Sequence, residues 1–221
     1  MYKGIIFDLD GTLLDTQRDL FNTINKTLKI HNFPIVDINR IRLNTGNGFR
    51  SLIRNCINDS IDEDMIDLLF DTFNKEYHLR YNINTKIYDG VVELLDYCIN
   101  NNILISVNSN KKHQYTKALV NEYFSNYNFN DVIGTKEYND RKPNPSNANF
   151  IINKMNLNKE QVCYIGDSEV DINTAINAKV DCIWVSWGFR SKNEVDLTKV
   201  RHIVDKPIEI IDILKKNKIY K

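Results

Sequence analysis

Four short apolar runs recur along the chain, and each ends in polar residues. They occupy residues 4–7, 103–107, 162–165 and 182–185 and are rich in β-branched and aromatic side chains. Continuous runs of this length, without polar residues at every second position, are typical of strands that are buried on both faces. Such strands occur mainly in parallel sheets, so the pattern predicts a parallel sheet that contains these four runs.

Segments with helical spacing lie between these runs. Their apolar faces are formed by Val91, Leu94, Leu95 and Cys98 in one segment and by Ile172, Ala175 and Ile176 in another. Alternating strands and helices fold as right-handed βαβ crossovers, with helices on both faces of the sheet. The pattern therefore predicts an α/β fold with a three-layer, Rossmann-like core built on a parallel sheet.

Residues 15–85 interrupt this alternation, because they contain few strand-like runs and several helical ones. The clearest helical face is formed by Met65, Leu69, Phe73 and Tyr77. Asp62 precedes two further acidic residues, which is typical of a helix start. We therefore predict a small helical cap domain over residues 15–85, inserted after the first strand. The catalytic α/β core domain is then made of residues 1–14 and 86–221.

The composition is that of an ordinary globular protein, and it narrows the possible functions. Of the 221 residues, 42% are hydrophobic, and the 29 basic side chains balance 29 acidic ones. This balance argues against a nucleic-acid-binding protein, because such domains generally carry a basic excess on one face. No apolar stretch approaches the ~20 residues of a membrane span, and the first residues do not resemble a signal peptide. We expect a cytoplasmic protein without nucleic-acid or membrane partners, and we leave monomer and homodimer open.

The cysteines add no metal or disulfide signal. They stand at Cys56, Cys98, Cys163 and Cys182, with no Cys-x-x-Cys pair and no histidine at ligand spacing. We therefore expect buried, reduced thiols, which agrees with a cytoplasmic location.

The first apolar run ends in two carboxylates, Asp8 and Asp10, followed by Gly11. Asp8 suits a nucleophile, because a carboxylate can form an acyl-phosphate intermediate. Asp10 suits a general acid and base that protonates the leaving alkoxide and later deprotonates water. A calcium-binding loop is a competing interpretation, but there the glycine comes at the sixth position and a helix precedes it. Taken alone, the segment also fits an ordinary structural turn.

Two further polar segments contain candidate phosphate ligands. Ser109 and Asn110 follow the run at 103–107, where a hydroxyl and a backbone amide can hold a phosphoryl oxygen. Lys142, which precedes a proline, can neutralise charge on the nucleophile and on the transferring phosphoryl group. Taken singly, these segments also fit a common turn and a surface lysine.

A fourth segment follows the third apolar run and contains Asp167 and Asp171. We expect Asp167 to lie at the strand end, within reach of Asp8. Clustered carboxylates repel one another unless a hard cation is present, and Mg²⁺ suits such a site because it takes one or two carboxylates plus a phosphate oxygen. We expect Asp171 to support the site by orienting Lys142 or waters. An acidic turn at a helix start is the alternative interpretation.

These four segments, in this order, resemble the motifs of the haloacid dehalogenase superfamily of aspartate-nucleophile phosphotransferases, over essentially the whole chain. The resemblance implies that Asp8 is the nucleophile, that Asp10 is the general acid and base, and that Ser109 and Lys142 bind the phosphoryl group. It also implies Mg²⁺ as cofactor, held by Asp8, the backbone carbonyl of Asp10, and Asp167. The predicted helical cap resembles the small cap of this superfamily, which closes over substrate and excludes water. An acid at position 10 is absent from the dehalogenating branch.

Two stretches resemble the phosphoglycolate phosphatase branch of that superfamily. One continues the first motif directly after Thr12, which we count among the substrate-binding candidates. The other spans residues 45–52 and resembles a substrate-facing Gly-Asn-Gly loop. Gly46 would let the backbone approach a small substrate closely, and Asn47 or Arg50 is a candidate to bind its carboxylate. A flexible helix cap explains the same loop equally well.

The predicted function is a Mg²⁺-dependent phosphatase that hydrolyses a small phosphate monoester, similar to phosphoglycolate, through an aspartyl-phosphate intermediate. A hexose-phosphate mutase resembling β-phosphoglucomutase is one alternative, and a pyrophosphatase or nucleotidase on the same scaffold is another. A non-catalytic phospholigand-binding protein is the alternative of a different class, although such a protein would be expected to lose one of the acidic residues present here.

The sequence departs from the superfamily pattern after the fourth motif. Lys179 stands in the segment where small residues usually end in a glycine. The later residues 187–190 resemble a family loop near the site entrance, but we assign no role to Arg190. The departure at Lys179 concerns the end of a helix and leaves the predicted chemistry unchanged.

Overall fold

The structure is a computed structural model, and it describes residues 1–57, 61–136 and 140–219. Its elements in chain order are β1 (Gly4–Phe7), β2 (Leu14–Asp15), α1 (Gln17–Ile30), α2 (Ile38–Asn44), α3 (Phe49–Cys56), α4 (Glu63–His78), β3 (Lys86–Ile87), α5 (Val91–Asn100), β4 (Leu104–Lys112), α6 (His113–Tyr123), β5 (Val132–Thr135), α7 (Ser146–Met155), β6 (Val162–Gly166), α8 (Glu169–Ala178), β7 (Asp181–Val185), β8 (His202–Val204) and α9 (Pro207–Ile219). Short 3₁₀ helices lie at Lys159–Gln161 and Leu197–Lys199.

Six strands form a parallel sheet in the order β5-β4-β1-β6-β7-β8. Strand β1 lies inside it, and Phe7 pairs with Val107 on one side and with Ile165 on the other. Helices α5, α6 and α9 cover one face of the sheet, and α7 and α8 cover the other. The apolar runs are continuous because both faces are buried. The predicted α/β fold with a three-layer, Rossmann-like core is confirmed.

Strands β5 and β8 have no counterpart in the sequence prediction. Both lie at the edges of the sheet and are short, and Gly134 interrupts the apolar pattern of β5. An edge strand packs against one neighbour only, so several of its residues are only partly buried and its pattern is weaker. Strand β4 also differs from its prediction, because it continues beyond Val107 as far as Lys112.

One predicted helix face needs correction. Ile176 of α8 is 42% exposed, whereas Ile172 and Ala175 are buried. The buried face of α8 is centred on Asp171 and Ala175, and at 100° per residue Ile176 lies about 140° from Asp171. That position is beyond the edge of the face that packs on the sheet.

Helices α1 to α4 pack into a helical bundle with its own core. Its buried apolar residues are Leu20, Ile24, Leu28, Ile41, Phe49, Leu52, Ile53, Cys56, Ile66, Leu69, Phe73 and Tyr77, joined by Tyr115 of α6. The antiparallel strands β2 and β3 pair where the chain enters and leaves the bundle. Asp19 of α1 binds the same junction, since its carboxylate accepts hydrogen bonds from the backbone amides of Asn84 and Thr85. The division into two domains at residues 15–85 stays a prediction.

Helix α4 begins where the acidic run predicts. Asp62 is its N-cap, and the Asp62 carboxylate accepts a hydrogen bond of 2.8 Å from the Met65 amide. Of the predicted apolar face, Leu69, Phe73 and Tyr77 are buried, whereas Met65 is only partly buried. The helix therefore directs three large side chains into the bundle core.

Lys179 ends helix α8 in the left-handed conformation, with φ of 60° and ψ of 47°. A side chain costs about 1–2 kcal/mol in this region, whereas glycine adopts it freely. We expect Lys179→Gly to raise the free energy of unfolding by about 0.5–1 kcal/mol, after the extra flexibility of the unfolded chain is subtracted. Urea unfolding measures this change. Lys179→Ala keeps the β-carbon and should give no gain, and an equal gain in both variants would contradict the explanation.

The cysteines match their prediction, since all four are free and buried. Burial raises the pKa of Cys56 to about 11 and the pKa of Cys98 to about 12. These thiols are therefore protonated and unreactive near neutral pH. Within the described ranges, no helix combines the length and the apolar character needed to cross a bilayer.

Candidate active site

Polar side chains meet at the carboxyl ends of β1, β4 and β6, which is the edge where parallel sheets bind ligands. Asp8 directly follows β1, and Asp167 directly follows β6. The sequence pattern placed Ser109 after the strand, but it lies inside β4, which is longer than predicted. The register between β4 and β5 shifts after Ser109, and this irregularity lets β4 continue past the end of β1.

Asp8 is 7% exposed and held from two sides. Its Oδ1 atom accepts hydrogen bonds from the Leu9 amide at 2.7 Å and from Lys142 Nζ at 2.8 Å. Oδ2 accepts no hydrogen bond from the residues that the structure describes. One oxygen therefore fixes the carboxylate, and the other is available to react.

Three carboxylates form one buried cluster. Ligand oxygens of Asp8, Asp167 and Asp171 all lie within 4.8 Å of one another. Burial, together with the charge of Asp171, raises the pKa of Asp8 to about 7. Burial and the charges of Asp171 and Asp8 likewise raise the pKa of Asp167 well above its ordinary value. The cluster is therefore electrostatically unfavourable unless further positive charge enters it.

Lys142 supplies the positive charge inside this cluster. Its Nζ atom lies 2.6 Å from Asp171 Oδ1 and 2.8 Å from Asp8 Oδ1, and the residue is 4% exposed. Burial alone would lower the pKa of Lys142, but the charges of Asp171 and Asp8 outweigh it and raise the pKa well above its ordinary value. Lys142 is therefore charged when it faces the nucleophile candidate.

Asp171 has no oxygen to spare for another ligand. Oδ1 binds Lys142, and Oδ2 accepts hydrogen bonds from the Ser168 hydroxyl at 2.6 Å and the Ser168 amide at 3.1 Å. This reciprocal capping box begins α8 and fixes the Asp171 carboxylate. The geometry agrees with the expectation that Asp171 orients Lys142.

The donor set fits a hard divalent cation. Asp8 Oδ2 accepts no hydrogen bond from the described residues, while Asp167 accepts one of 2.6 Å from the Phe189 amide at Oδ2 and a long one of 3.5 Å from the Thr12 hydroxyl at Oδ1. These carboxylates can therefore offer an oxygen each. Hard oxygen ligands in an excess of negative charge are what Mg²⁺ prefers.

Asp10 is held by two side chains that come from different parts of the fold. Thr16 donates its hydroxyl proton to Asp10 Oδ1 at 2.6 Å, and Lys111 Nζ lies 2.9 Å from Asp10 Oδ2. Lys111 also binds the Tyr77 hydroxyl at 2.7 Å. The sequence reasoning assigned no role to Lys111, although it stands beside Ser109 and Asn110 in the second motif.

Asn110 connects the helical bundle to the lysine loop. Its Nδ2 atom donates to the carbonyls of Gly46 at 2.8 Å and Lys142 at 3.1 Å, and its Oδ1 accepts from the Lys142 amide at 2.8 Å. Both amide hydrogens of Asn110 are thus engaged, and two of its three hydrogen bonds fix the backbone of Lys142. Ser109 lines the adjoining cavity and accepts a hydrogen bond of 3.2 Å from the Lys111 amide at its hydroxyl oxygen.

The loop at residues 187–190, which the family resemblance placed near the site entrance, packs against the carboxylate cluster. A β-carbon on Gly188 would lie 2.3 Å from the Asp167 β-carbon and 2.3 Å from the Gly11 carbonyl oxygen, so only glycine fits. This close approach lets the neighbouring Phe189 amide reach Asp167. A glycine between two bulky residues after a buried strand was the available sequence signal.

Two arginines connect the bundle to this loop, since each donates hydrogen bonds to backbone carbonyls of the other segment. Arg190, 5% exposed, donates to the backbone carbonyls of Arg42 at 2.6 Å and Thr45 at 2.9 Å and pairs with Glu169 at 3.0 Å. Arg42 in turn pairs with Glu194 at 2.8 Å and donates to the Phe189 carbonyl. These contacts hold the bundle against the carboxyl edge of the sheet.

Of the remaining site candidates, Thr12 and Gly46 lie at the cluster and the cavity, whereas Asn47 and Arg50 do not line the cavity. Thr12 is fully buried, and its hydroxyl faces Asp167. Gly46 lines the cavity, where its φ of 118° suits glycine. Asn47 and Arg50 instead line an adjoining surface depression, which shares Asn110 and Lys142 with the cavity. Arg50 pairs there with Glu63 and Asp67 of α4. These ion pairs argue against Arg50 as a ligand of the substrate carboxylate, and the role of Asn47 stays a prediction.

A small cavity lies between the cluster and the bundle. Its walls include Asp8, Asp10 and Lys111 from the sheet side and the apolar Leu20 and Phe49 from the bundle. It leaves about 40 Å³ open to the centres of water-sized molecules, and one water needs about 10–15 Å³ of such space. The cavity therefore suits a small ligand.

Comparison with known proteins agrees with this arrangement. The family model described as haloacid dehalogenase-like hydrolase matches residues 5–185. A phosphoglycolate phosphatase of Rhodobacter capsulatus is 30% identical over 193 residues, which cover 86% of this chain and 87% of that protein. Phosphoglycolate phosphatase 1 of Pseudomonas aeruginosa is 28% identical over 190 residues, which cover 84% of this chain and 70% of that protein.

A solved structure shows the same architecture. It comes from Lactobacillus delbrueckii subsp. bulgaricus and has been proposed to be a phosphoglycolate phosphatase. The two structures superpose with a TM-score of 0.88 at 27% sequence identity, over 96% of this chain and 98% of that one. The likeness therefore includes the helical bundle as well as the sheet.

Proposed function

This chain belongs to the haloacid dehalogenase-like hydrolase family, and we propose that it is a Mg²⁺-dependent phosphatase that hydrolyses a small, acidic phosphate monoester. One observation carries the proposal. Asp8 faces a small cavity with one carboxylate oxygen fixed by Lys142 and the other unengaged by the described residues, while Asp10 stands beside it. A nucleophile, a counter-charge and an acid thus adjoin one space of suitable size.

In the first step, the Asp8 carboxylate attacks the phosphorus atom, and the bond from phosphorus to the ester oxygen breaks. Asp10 gives its proton to that oxygen, so the leaving group departs as an alcohol. While the phosphoryl group is transferred, Lys142 offsets the negative charge on Asp8 and on the phosphoryl oxygens. The Ser109 hydroxyl lines the same cavity and is the candidate donor to a phosphoryl oxygen.

In the second step, Asp10 takes a proton from a water molecule, which attacks the phosphorus atom of the aspartyl phosphate. Asp8 leaves as a carboxylate, and inorganic phosphate is released. Thr16 and Lys111 hold the two Asp10 oxygens, so this carboxylate is oriented for both proton transfers. The apolar bundle side chains at the cavity keep other water away.

Asp8 and Asp167 are the side chains that would hold Mg²⁺, together with the Asp10 carbonyl implied by the family resemblance. When bound, the ion supplies positive charge that screens the nucleophile from the phosphoryl oxygens and orients the phosphate. Asp171 supports the site through Lys142. This assignment leaves each acidic residue of the cluster with a distinct role.

Two observations support phosphoglycolate or a similarly short substrate. The curated relatives described above carry the name phosphoglycolate phosphatase. The cavity leaves about 40 Å³ open to the centres of water-sized molecules, which accommodates a short leaving group. Release of inorganic phosphate from a panel of monoesters, compared by kcat/KM, tests the proposal, and indifference to every short acidic ester would contradict it.

The metal assignment predicts a change in stability as well as in activity. We expect Mg²⁺ to raise the melting temperature of the wild-type protein, because the cation relieves repulsion between buried carboxylates. Asp167→Asn should remove most of that rise, and a chelator should abolish phosphate release by the wild type. Asp181→Asn, at the opposite edge of the sheet, is the matched control and should keep the full rise. A rise of the same size in Asp167→Asn would contradict the assignment.

A further inference from the structure

Lys111 is a buried cation in the cavity that the mechanism above uses only to hold Asp10. It is 3% exposed, and it lies on β4 two residues after Ser109. Its ammonium group sits over two aromatic rings, 5.5 Å from the Phe49 centroid and 5.1 Å from the Tyr77 centroid. A lysine enclosed in this way loses hydration, so its charge needs ligands inside the protein.

The contacts of Lys111 with the described residues do not use all of its hydrogen-bond donors. An ammonium group has three donors, and two of them serve Asp10 Oδ2 at 2.9 Å and the Tyr77 hydroxyl at 2.7 Å. No third acceptor comes from the residues that the structure describes, and Lys111 is among those lining the cavity. The remaining donor is therefore available to a ligand in that space.

The other cations around the cavity are committed elsewhere. Lys142 lies between Asp8 and Asp171. The Arg190 guanidinium donates hydrogen bonds to Glu169 and to two backbone carbonyls of the bundle. By the same count Lys142 also keeps a donor, which the proposed mechanism directs to the transferring phosphoryl group. Lys111 is the described cavity cation whose remaining donor lies beside Asp10, the residue that faces the leaving group.

We propose that Lys111 determines substrate specificity by binding a carboxylate on the leaving group, one carbon from the ester oxygen. This inference rests on the proposed phosphatase function and deepens it. It replaces Asn47 and Arg50, which the sequence suggested for this task and which lie outside the cavity.

Distances support this placement. To protonate the leaving oxygen, Asp10 must come within a hydrogen bond of it, about 3 Å. Lys111 Nζ lies 2.9 Å from Asp10 Oδ2. When Oδ2 is the oxygen that gives the proton, the ammonium group is therefore at most about 6 Å from the leaving oxygen. A carboxylate attached through one carbon falls inside this range. The methylene between the two groups then meets the apolar side chains of Leu20 and Phe49, which line the cavity.

The test compares two esters of equal length, 2-phosphoglycolate and 2-hydroxyethyl phosphate, which differ in the presence of the carboxylate. In the wild type we expect kcat/KM to be about 50- to 100-fold higher for the acidic ester, the size of one charge-assisted hydrogen bond in a buried site. Lys111→Met keeps the length of the side chain and removes its charge. The ratio of the two kcat/KM values should then fall to within about threefold of unity.

Lys112→Met is the matched control, because Lys112 binds Asn74 outside the cavity and should leave the ratio unchanged. If Lys111→Met lowers kcat/KM equally for both esters, Lys111 only positions Asp10, and the inference is overturned. Should Lys111→Met fail to fold, the wild-type ratio decides alone, and a ratio near one overturns the inference while leaving the phosphatase function intact. Failure of the wild type to hydrolyse either ester refutes the proposed function itself, and the inference with it.

Discussion

Asp8→Asn should lower phosphate release by about 10⁴-fold or more, because the amide has no charged oxygen to attack phosphorus. The fold should survive the change. Asp8 lies in a buried cluster with Asp167 and Asp171, and burial together with the charge of Asp171 raises its pKa to about 7. Replacing a carboxylate by an amide of the same shape removes that repulsion, so the free energy of unfolding should change by no more than about 1 kcal/mol.

The control for Asp8→Asn is the same chemical change elsewhere in the sheet. Asp181 begins β7, and its carboxylate accepts a hydrogen bond from the Tyr2 hydroxyl. Asp181→Asn should keep the wild-type rate of phosphate release. Activity of Asp8→Asn within about tenfold of the wild type would show that another group attacks phosphorus.

Lys142→Met should lower both activity and stability. The variant leaves Asp8 and Asp171 without the ammonium group that lies 2.8 Å and 2.6 Å from them. Breaking a buried ion pair from one side costs about 3–5 kcal/mol, and we expect a loss of that size in urea unfolding with a chelator present. We also expect kcat/KM for phosphate release to fall by about 10³-fold, since charge compensation at the nucleophile is lost.

Mg²⁺ provides a way to separate these two losses. Added Mg²⁺ should restore part of the stability of Lys142→Met, because it supplies positive charge to the same carboxylates, but it should not restore the activity. Lys154→Met is the matched control, since Lys154 is an exposed lysine paired with Asp131, and it should change neither quantity. An unaltered free energy of unfolding in Lys142→Met would contradict the structural role assigned to Lys142.

The sheet could be predicted from sequence because its central strands are buried on both faces. Their continuous apolar runs are followed by polar residues, so the positions of Asp8 and Asp167 at the strand ends could be predicted from the sequence. The edge strands β5 and β8 carry a weaker signal, since fewer of their side chains face a packed layer. The extension of β4 to Lys112 was also hidden, because its last residues are polar yet buried.

The candidate site was predictable where a residue's chemistry is local and not where its partners come from distant segments. Ser109 and Asn110 could be recognised because a hydroxyl and an amide directly follow an apolar run, whereas the environment of Lys111 depends on Tyr77 from the bundle. Arg50 shows the converse. Its position beside a glycine loop suggested a ligand, but two acidic residues of α4 draw its guanidinium to the outside. Such tertiary pairings leave no periodic pattern in the sequence.

The central claim is that Asp8 carries the phosphoryl group during turnover, and its direct test is to detect that group. The variant Asp10→Asn, which lacks the base for the second step, is mixed with Mg²⁺ and acetyl phosphate and quenched in acid. Acetyl phosphate is used because its acetate leaves without the proton that Asp10 gives to an alkoxide in the first step. Its peptides are then analysed by mass spectrometry. We predict one phosphoryl group on the peptide that contains Asp8. Treatment with hydroxylamine should remove this group, and the double variant that also carries Asp8→Asn should not have it. Phosphate release by the wild type, with no phosphoryl group on that peptide at any quench time in either protein, would contradict the account.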